Sequence, residues 1–227
     1  MSIIIPVRNE ASIIGPALVA LQTLRSEGVQ VIVVDGHSTD GTVSRCTGLC
    51  DVLLHSEPSR ARQMNRGATQ ALGTVLLFLH ADTQLPPNVL SVVLPALALR
   101  ADGAVRARWG RFDVNIDGKP ALLRVVAALM NWRSRATGIA TGDQALFIRR
   151  DEFIAVGGYP NQPLMEDVEI SKRLRARSAP VSLLERVTTS GRRWEQRGVW
   201  RTVFLMWRLR FYYWLGASPT KLAQMYA

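Results

Sequence analysis

Four short, almost uninterrupted apolar runs rich in β-branched residues fall within the first 79 residues: Ser2 to Val7, Val31 to Asp35, Val52 to His55 and Val75 to Leu79. Runs this short and this continuously apolar suit strands buried on both faces, the condition of a parallel sheet covered by helices. Between the first two, Ile13, Ile14, Ala17, Leu18, Leu21 and Leu24 keep helical spacing, with Asn9 expected as N-cap and Gly28 as the stop. A second helix is expected after Ser38, Thr39 and Asp40, and a third from about Arg60 to Leu72, ended by Gly73. Strand and helix alternating in this way predict an open, mostly parallel α/β sheet flanked by helices.

Ligands of such sheets bind beyond the carboxyl ends of the strands. Here those ends are polar: Pro6 to Glu10, Asp35 with Gly36, and His80 with Asp82. Asp35 follows four apolar residues, and a carboxylate there needs a partner, such as a base N–H or ribose hydroxyls. The turn from Ser38 to Gly41 is an N-capping sequence, and a helix start also favours anions. Asp82 is an oxygen ligand of the kind Mg²⁺ or Mn²⁺ uses beside a diphosphate, although a carboxylate after a strand also serves as an ordinary turn residue. LMEDVEIS opens a further helix at Glu166 and Asp167; acids in a first turn complement the helix dipole, and one placed there also suits a general base. Arg60 and Arg62 fall near the start of the third helix, suited to an anion or to a solvated arginine face. No GxGxxG follows either of the first two strands and no GxxxxGK[ST] occurs, which removes the main support for dinucleotide or P-loop binding.

The second half is less regular. Leu85 to Leu99 reads as a helix interrupted by Pro95, Ala121 to Trp132 as an apolar helix, and Gln144 to Arg149 as another strand. No long linker, repeat or low-complexity tract divides the chain, so one domain over residues 1–227 is expected, with a basic aromatic segment from about 191. With 48% apolar and 20% charged residues, the composition excludes a disordered polymer and a disulfide scaffold. Cys46 and Cys50 sit four apart on an expected helix and read as reduced apolar filler, and His37, His55 and His80 lack zinc-ligand spacing. No run of eighteen apolar residues occurs, and SIIIPV follows the first Met without a basic leader, so a cytoplasmic location is expected.

Charge is unevenly placed. Residues 1–170 hold 16 basic and 16 acidic side chains, whereas residues 171–227 hold 12 basic and 2 acidic, so the whole excess of +10 lies in the last quarter. There the stretch WRTVFLMWRLRFYYWLGASP interleaves Arg201, Arg208 and Arg210 with Trp200, Trp207, Tyr212, Tyr213 and Trp214. Arg with Trp and Tyr suits the headgroup level of an anionic bilayer, so a peripheral membrane contact is the expectation, with packing on the core as its alternative.

In order along the chain, SIIIPVRNE, VVDGHSTDGT, LFLHADT, GDQALFIRRDEF, GGYPNQPLMEDVEIS and RRWEQRG resemble the inverting family-2 glycosyltransferases of the GT-A nucleotide-diphospho-sugar transferase fold, most of all the small bacterial subgroup labelled selenodomain-associated transferase 2. The resemblance spans nearly the whole chain. It implies a nucleotide pocket lined by Pro6, Asn9, Glu10 and Asp35, with Asp35 on the base and uridine favoured. It implies that Asp82 binds a divalent cation, Mg²⁺ or Mn²⁺, on the diphosphate, and that Asp167, with Glu166 beside it, is the catalytic base. His80 stands where the family's metal triplet has its first Asp, and is expected to contact the donor sugar or orient Asp82. Arg60 and Arg62 would share the diphosphate charge, while Arg192, Arg193 and Trp194 match a late Arg-Trp element near diphosphate or acceptor. Asp143 would border the acceptor site, and the acceptor is expected to be a hydroxyl, with a lipid-linked molecule as one candidate.

Two other classes compete with that reading. A basic module gripping nucleic acid fits the arginine-rich end, but acidic strand ends would repel a phosphate backbone. A sugar-1-phosphate nucleotidyltransferase would resemble chains with a Gly-rich loop after the first strand, where this one reads PVRNEAS.

Overall fold

The computed structural model describes residues 1–98 and 107–226. The four apolar runs form β1 (Ser2–Val7), β2 (Gln30–Asp35), β3 (Val52–His55) and β4 (Val75–Phe78). β1 pairs in parallel with both β2 and β4, and β2 with β3, so the carboxyl ends of all four share one edge. Alternate side chains feed two separate cores: Ile3, Ile5, Val31, Val33 and Leu77 on one face, and Ile4, Ile32, Val34, Leu76 and Phe78 on the other. Burial on both faces is what made β1, β2 and β4 read as continuous apolar runs; β3, at the sheet edge, is only half-buried and ends in exposed His55.

The sheet continues through β7 (Phe147–Arg149), which the sequence pattern announces with an earlier start, and through three strands that it does not announce. Beyond β4 come β7, β6 (Trp109–Asp117), β8 (Val181–Ser190) and the short β5 (Thr83–Gln84), giving the order β3-β2-β1-β4-β7-β6-β8-β5 among the described residues. β7 runs antiparallel to β4 and β6, β8 runs parallel to β6, and β5 is antiparallel to β8. The two reversals have one result: the carboxyl ends of β6 and β8 and the amino end of β7 meet the same edge as the ends of β1, β2 and β4.

β6 escaped the apolar pattern because its WGRFDVNID carries buried Arg111 and Asp113. Arg111 is only 1% exposed and donates to Asp113, whose other oxygen accepts from Arg135 at 2.7 Å. The one carboxylate thus pairs with both guanidiniums, buried Arg111 and exposed Arg135, so the strand's two ionised residues are buried with ionic partners and the surplus positive charge stays at the surface.

The helices are α1 (Ile14–Ala20), α2 (Gln22–Ser26), α3 (Thr42–Cys46), α4 (Arg60–Thr69), α5 (Val89–Ala96), α6 (Leu122–Thr137), α7 (Arg150–Ala155), α8 (Glu166–Arg177), α9 (Arg192–Arg197), α10 (Val199–Trp214) and α11 (Pro219–Tyr226). Several differ from the sequence reading. Asn9 is not a helix cap. At a φ of +54° it ties two loops together, its N–H donating to Ser38 Oγ (2.9 Å) and its Oδ1 accepting from the N–H of Thr39 (2.8 Å). The helix expected before Gly28 breaks at Leu21 into α1 and α2. Cys50 lies beyond α3, so the cysteines do not share a helix, and both are free. α4 stops at Thr69, and Gly73 instead lets the chain pass the Met1–Ser2 backbone, where a Cβ would lie 2.6 Å from Met1 C. α5 starts only after Pro86 and Pro87, and the expected end at Leu99 lies outside the described residues. α6 runs past Trp132 to a left-handed cap at Gly138. The strand expected from Gln144 is a 3-10 turn at Gly142–Gln144 followed by β7, because Ala145 takes a φ of +45°.

Asp113→Ala should leave Arg111 charged in the core with only the carbonyls of Phe112 and Asn131 as partners. A loss of about 3–5 kcal/mol is expected in urea unfolding, and Asp113→Asn should lose less.

Candidate active site

The ends of β1, β4 and β8, the turn before β7 and the start of α8 surround a cavity of about 720 Å³ to which α6, α9 and α10 also contribute walls. Of the residues singled out in the sequence, Pro6, Glu10, Arg60, His80, Asp82, Asp143, Glu166, Asp167, Arg192, Arg193 and Trp194 all line it. Asn9, Asp35 and Arg62 do not. Asp35, at the end of β2, is 1% exposed; its carboxylate accepts from the N–H of Ser38 at 3.1 Å and lies 3.4 Å from His55 Nδ1. It finds its partners within the chain. Arg62 points away and donates to Asn161 Oδ1 (2.9 Å).

Glu166 and Asp167 open α8 after Met165, whose φ of +65° puts a bulky residue in the left-handed region. Packing of Met165 with Val168, Leu209 and Leu222 holds that conformation. Burial, followed by the charge of Asp167, pushes the Glu166 carboxyl up to about 7, against the pull of Arg60 at 4.0 Å. Burial also raises Asp167, opposed by the N–H of Gly142 on Oδ2 (3.0 Å) and of Val168 on Oδ1 (2.7 Å). Asp167 therefore has both oxygens fixed by backbone donors, whereas Glu166 has mainly a distant guanidinium.

The turn before β7 brings the second acidic group. A Cβ on Gly142 would lie 2.5 Å from the His80 ring, so only glycine lets His80, this turn and Asp167 stand together. His80 Nδ1 is 3.3 Å from Asp143 Oδ1. Burial pushes the Asp143 carboxyl up, but the His80 bond and the charges of His80, Arg60 and Arg193 prevail and hold it below its ordinary value. Ser190 N–H donates to the carbonyl of Asp82 (3.2 Å), which fixes the Asp82 loop to β8.

Arginines form the opposite wall. Arg192 reaches Glu10 at 3.5 Å, and burial lowers the pKa of Arg193. Trp194 both lines the cavity and packs against the core. Arg133 on α6, Arg197 on α9 and Arg210 on α10 also line the cavity and were not found from the sequence. Apolar spacing placed α6, while the α10 stretch was read for its composition alone, and which face of either meets the cavity depends on how they pack over the sheet. The arrangement can therefore present carboxylates to one end of a ligand and guanidinium groups to another.

The profile described as "Glycosyl transferase family 2" matches residues 2–155. A beta-monoglucosyldiacylglycerol synthase from Synechocystis sp. is 24% identical, covering 96% of this chain and 50% of its own length. The probable glycosyltransferase YdaM of Bacillus subtilis is 26% identical over 77% of this chain and 46% of its own length. The chain thus spans about half the length of these curated relatives. Among solved structures, the mannosyltransferase PcManGT from Pyrobaculum calidifontis in complex with GDP-Man and Mn²⁺ superposes with a TM-score of 0.63 at 21% identity, over 92% of this chain and 59% of its own. S. aureus TarS 1-349 in complex with UDP-GlcNAc gives 0.62 at 16%, over 83% and 58%. At such identities the likeness establishes the fold, the GT-A α/β architecture.

Glu166 holds its proton more tightly folded than unfolded. Its contribution to stability is therefore full below about pH 4.5 and lost as pH rises through about 7. Glu166→Gln should gain on the unsubstituted chain by roughly 1–3 kcal/mol between about pH 5 and pH 8 in urea titrations.

Proposed function

The chain belongs to glycosyl transferase family 2, and on that premise we propose that it transfers a sugar from a nucleoside-diphosphate donor, of uridine type, to a hydroxyl acceptor with inversion. The observation that carries this reading is the meeting of the Glu166–Asp167 pair, the His80–Asp82 loop and the Arg192–Arg193 element in one cavity. Motif order supports its placement with the selenodomain-associated transferase 2 subgroup. The names of the Synechocystis and Nostoc relatives, both beta-monoglucosyldiacylglycerol synthases, support a lipid or lipid-linked acceptor met at the inner face of the cell membrane.

The acceptor oxygen forms a bond to the anomeric carbon as the bond from that carbon to the diphosphate breaks, and the leaving oxygen takes the electron pair. Asp167 takes the acceptor proton. Its two backbone donors hold it as the better-stabilised anion of the pair, while Glu166 carries a proton for part of the time near neutrality. Arg60, Arg192 and Arg193 face the charge that grows on the departing diphosphate. His80 steadies the Asp82 loop or a donor hydroxyl, and Asp143 borders the acceptor. Pro6, on the cavity wall at the end of β1, meets the base, while Asn9 and Asp35 act from behind it by holding the loops that follow β1 and β2; Arg62, turned to Asn161, takes no part.

Hard divalent cations that accompany a diphosphate take one or two protein carboxylates and fill their other positions with phosphate oxygens and water. Asp82 on the cavity wall fits that donor set. Among the described residues no three His, Cys, Asp or Glu side chains form a metal-holding group of their own. We assign Asp82 to Mg²⁺ or Mn²⁺, which when bound neutralises diphosphate charge.

Thermal melts with UDP-sugars and Mn²⁺ test this: at least one donor should raise the Tm, and Asp82→Ala and Asp35→Ala should each reduce the rise. Asp167→Asn should keep the rise while turnover drops about 10²–10⁴-fold. Loss of the donor-induced rise in Asp167→Asn would make that residue structural.

A further inference from the structure

The exposed apolar surface is concentrated on two helices that wall the cavity. On α10, Trp200, Phe204, Trp207, Phe211 and Trp214 recur at the spacing of one helical face, an arc of about 80° at 100° per residue, and all five are exposed, Trp214 by 77%. Successive rings along the stripe stand 6.2–6.3 Å apart within the Trp200–Phe204, Phe204–Trp207 and Phe211–Trp214 pairs. The opposite face of the same helix buries Thr202 and Leu209, so the exposure is not that of an unpacked helix. On α6, Val125, Leu129 and Trp132 form a second exposed row. Leu129, Trp132 and Trp207 are at once exposed and part of the cavity wall, so the apolar surface is continuous with the cavity mouth.

Charge selects the occupant. α6 and α10 carry no Asp or Glu. Of their six arginines, Arg133 and Arg210 line the cavity and Arg135 pairs with Asp113, which leaves exposed Arg124 on α6 and exposed Arg201 and Arg208, flanking the α10 stripe on one side, for the outer face. A second copy of the chain would set one arginine-flanked face against another, which like charge opposes. Among the described residues no helix is long and apolar enough to cross a membrane, and α10, with three arginines in 16 residues, has the make-up of a helix lying in the interface.

We propose that the α6–α10 face docks on an anionic bilayer, with the aromatic stripe at acyl-chain level and Arg201 and Arg208 at the headgroups. The cavity mouth then faces the leaflet, and the acceptor hydroxyl arrives from the lipid phase. This orientation rests on the sugar-transfer reading for its purpose, although the docking itself does not.

The test is flotation of the full chain with phosphatidylcholine vesicles, with and without about 30% phosphatidylglycerol. The protein should float with the anionic vesicles. Trp200→Ser/Phe204→Ser/Trp214→Ser should reduce the bound fraction about tenfold, and Arg201→Glu/Arg208→Glu should remove the preference for phosphatidylglycerol. None of these residues lines the cavity, and the donor-induced rise in Tm measured without vesicles checks that each variant is folded. Unchanged flotation of the triple variant overturns the proposal, as does light scattering that finds a dimer converted to monomer by it. A donor-induced rise that persists when flotation fails leaves sugar transfer standing and removes only the docking. Flotation that persists when no donor binds removes the purpose and keeps the surface.

Discussion

Two adjacent carboxyl groups, Glu166 and Asp167, are buried side by side, and the rest of the site is arranged around the expense of doing so. Like charges in a poorly solvated place raise each other's affinity for protons. The protein offsets this with the first turn of α8, two backbone N–H donors on Asp167 and the Arg60 guanidinium beside Glu166. Each device depends on a different part of the chain. The N–H of Gly142 is delivered by the turn before β7, and Arg60 by the start of α4.

Topology makes this delivery possible. β7 runs opposite to β4, so its amino end, not its carboxyl end, reaches the edge where β1 and β4 finish. That reversal sets Gly142 and Asp143 against His80. The parallel pairing of β6 with β8 then returns the chain to the same edge at Ser190, and α9 follows with Arg192 and Arg193. Both halves of the sequence thus supply both signs of charge: Glu10, Asp82 and Arg60 come from the first, and Asp143, Glu166, Asp167, Arg192 and Arg193 from the second.

The strands legible in the sequence were those whose apolar runs have no polar interruption, buried on both faces in β1, β2 and β4 and half-buried at the edge in β3. β6 was hidden because its Arg111 and Asp113 are buried as an ion pair that exposed Arg135 extends, and β8 because it is half-exposed and carries Glu185 and Arg186. Asp82, Glu166 and Asp167 were legible as site residues because they stand at strand or helix ends, and the family resemblance supplied their roles. Arg133 and Arg210 were not, since a helix periodicity reveals a buried stripe but not which neighbour it meets. Asp35 illustrates the converse: a strand-end carboxylate needs a partner, and here the Ser38 turn and His55 serve.

Met165, Val168, Leu209 and Leu222 form a core of four fully packed residues, distinct from the two large cores on either side of the sheet. A unit with so little interior opens at a free energy below that of global unfolding. The C-terminal helices and the strained residue that precedes the carboxylate pair are therefore mechanically joined. The side chains that hold α10 against α8 are the same ones that hold Met165 in its left-handed turn, so the aim of both acids rests on the packing of the last helices.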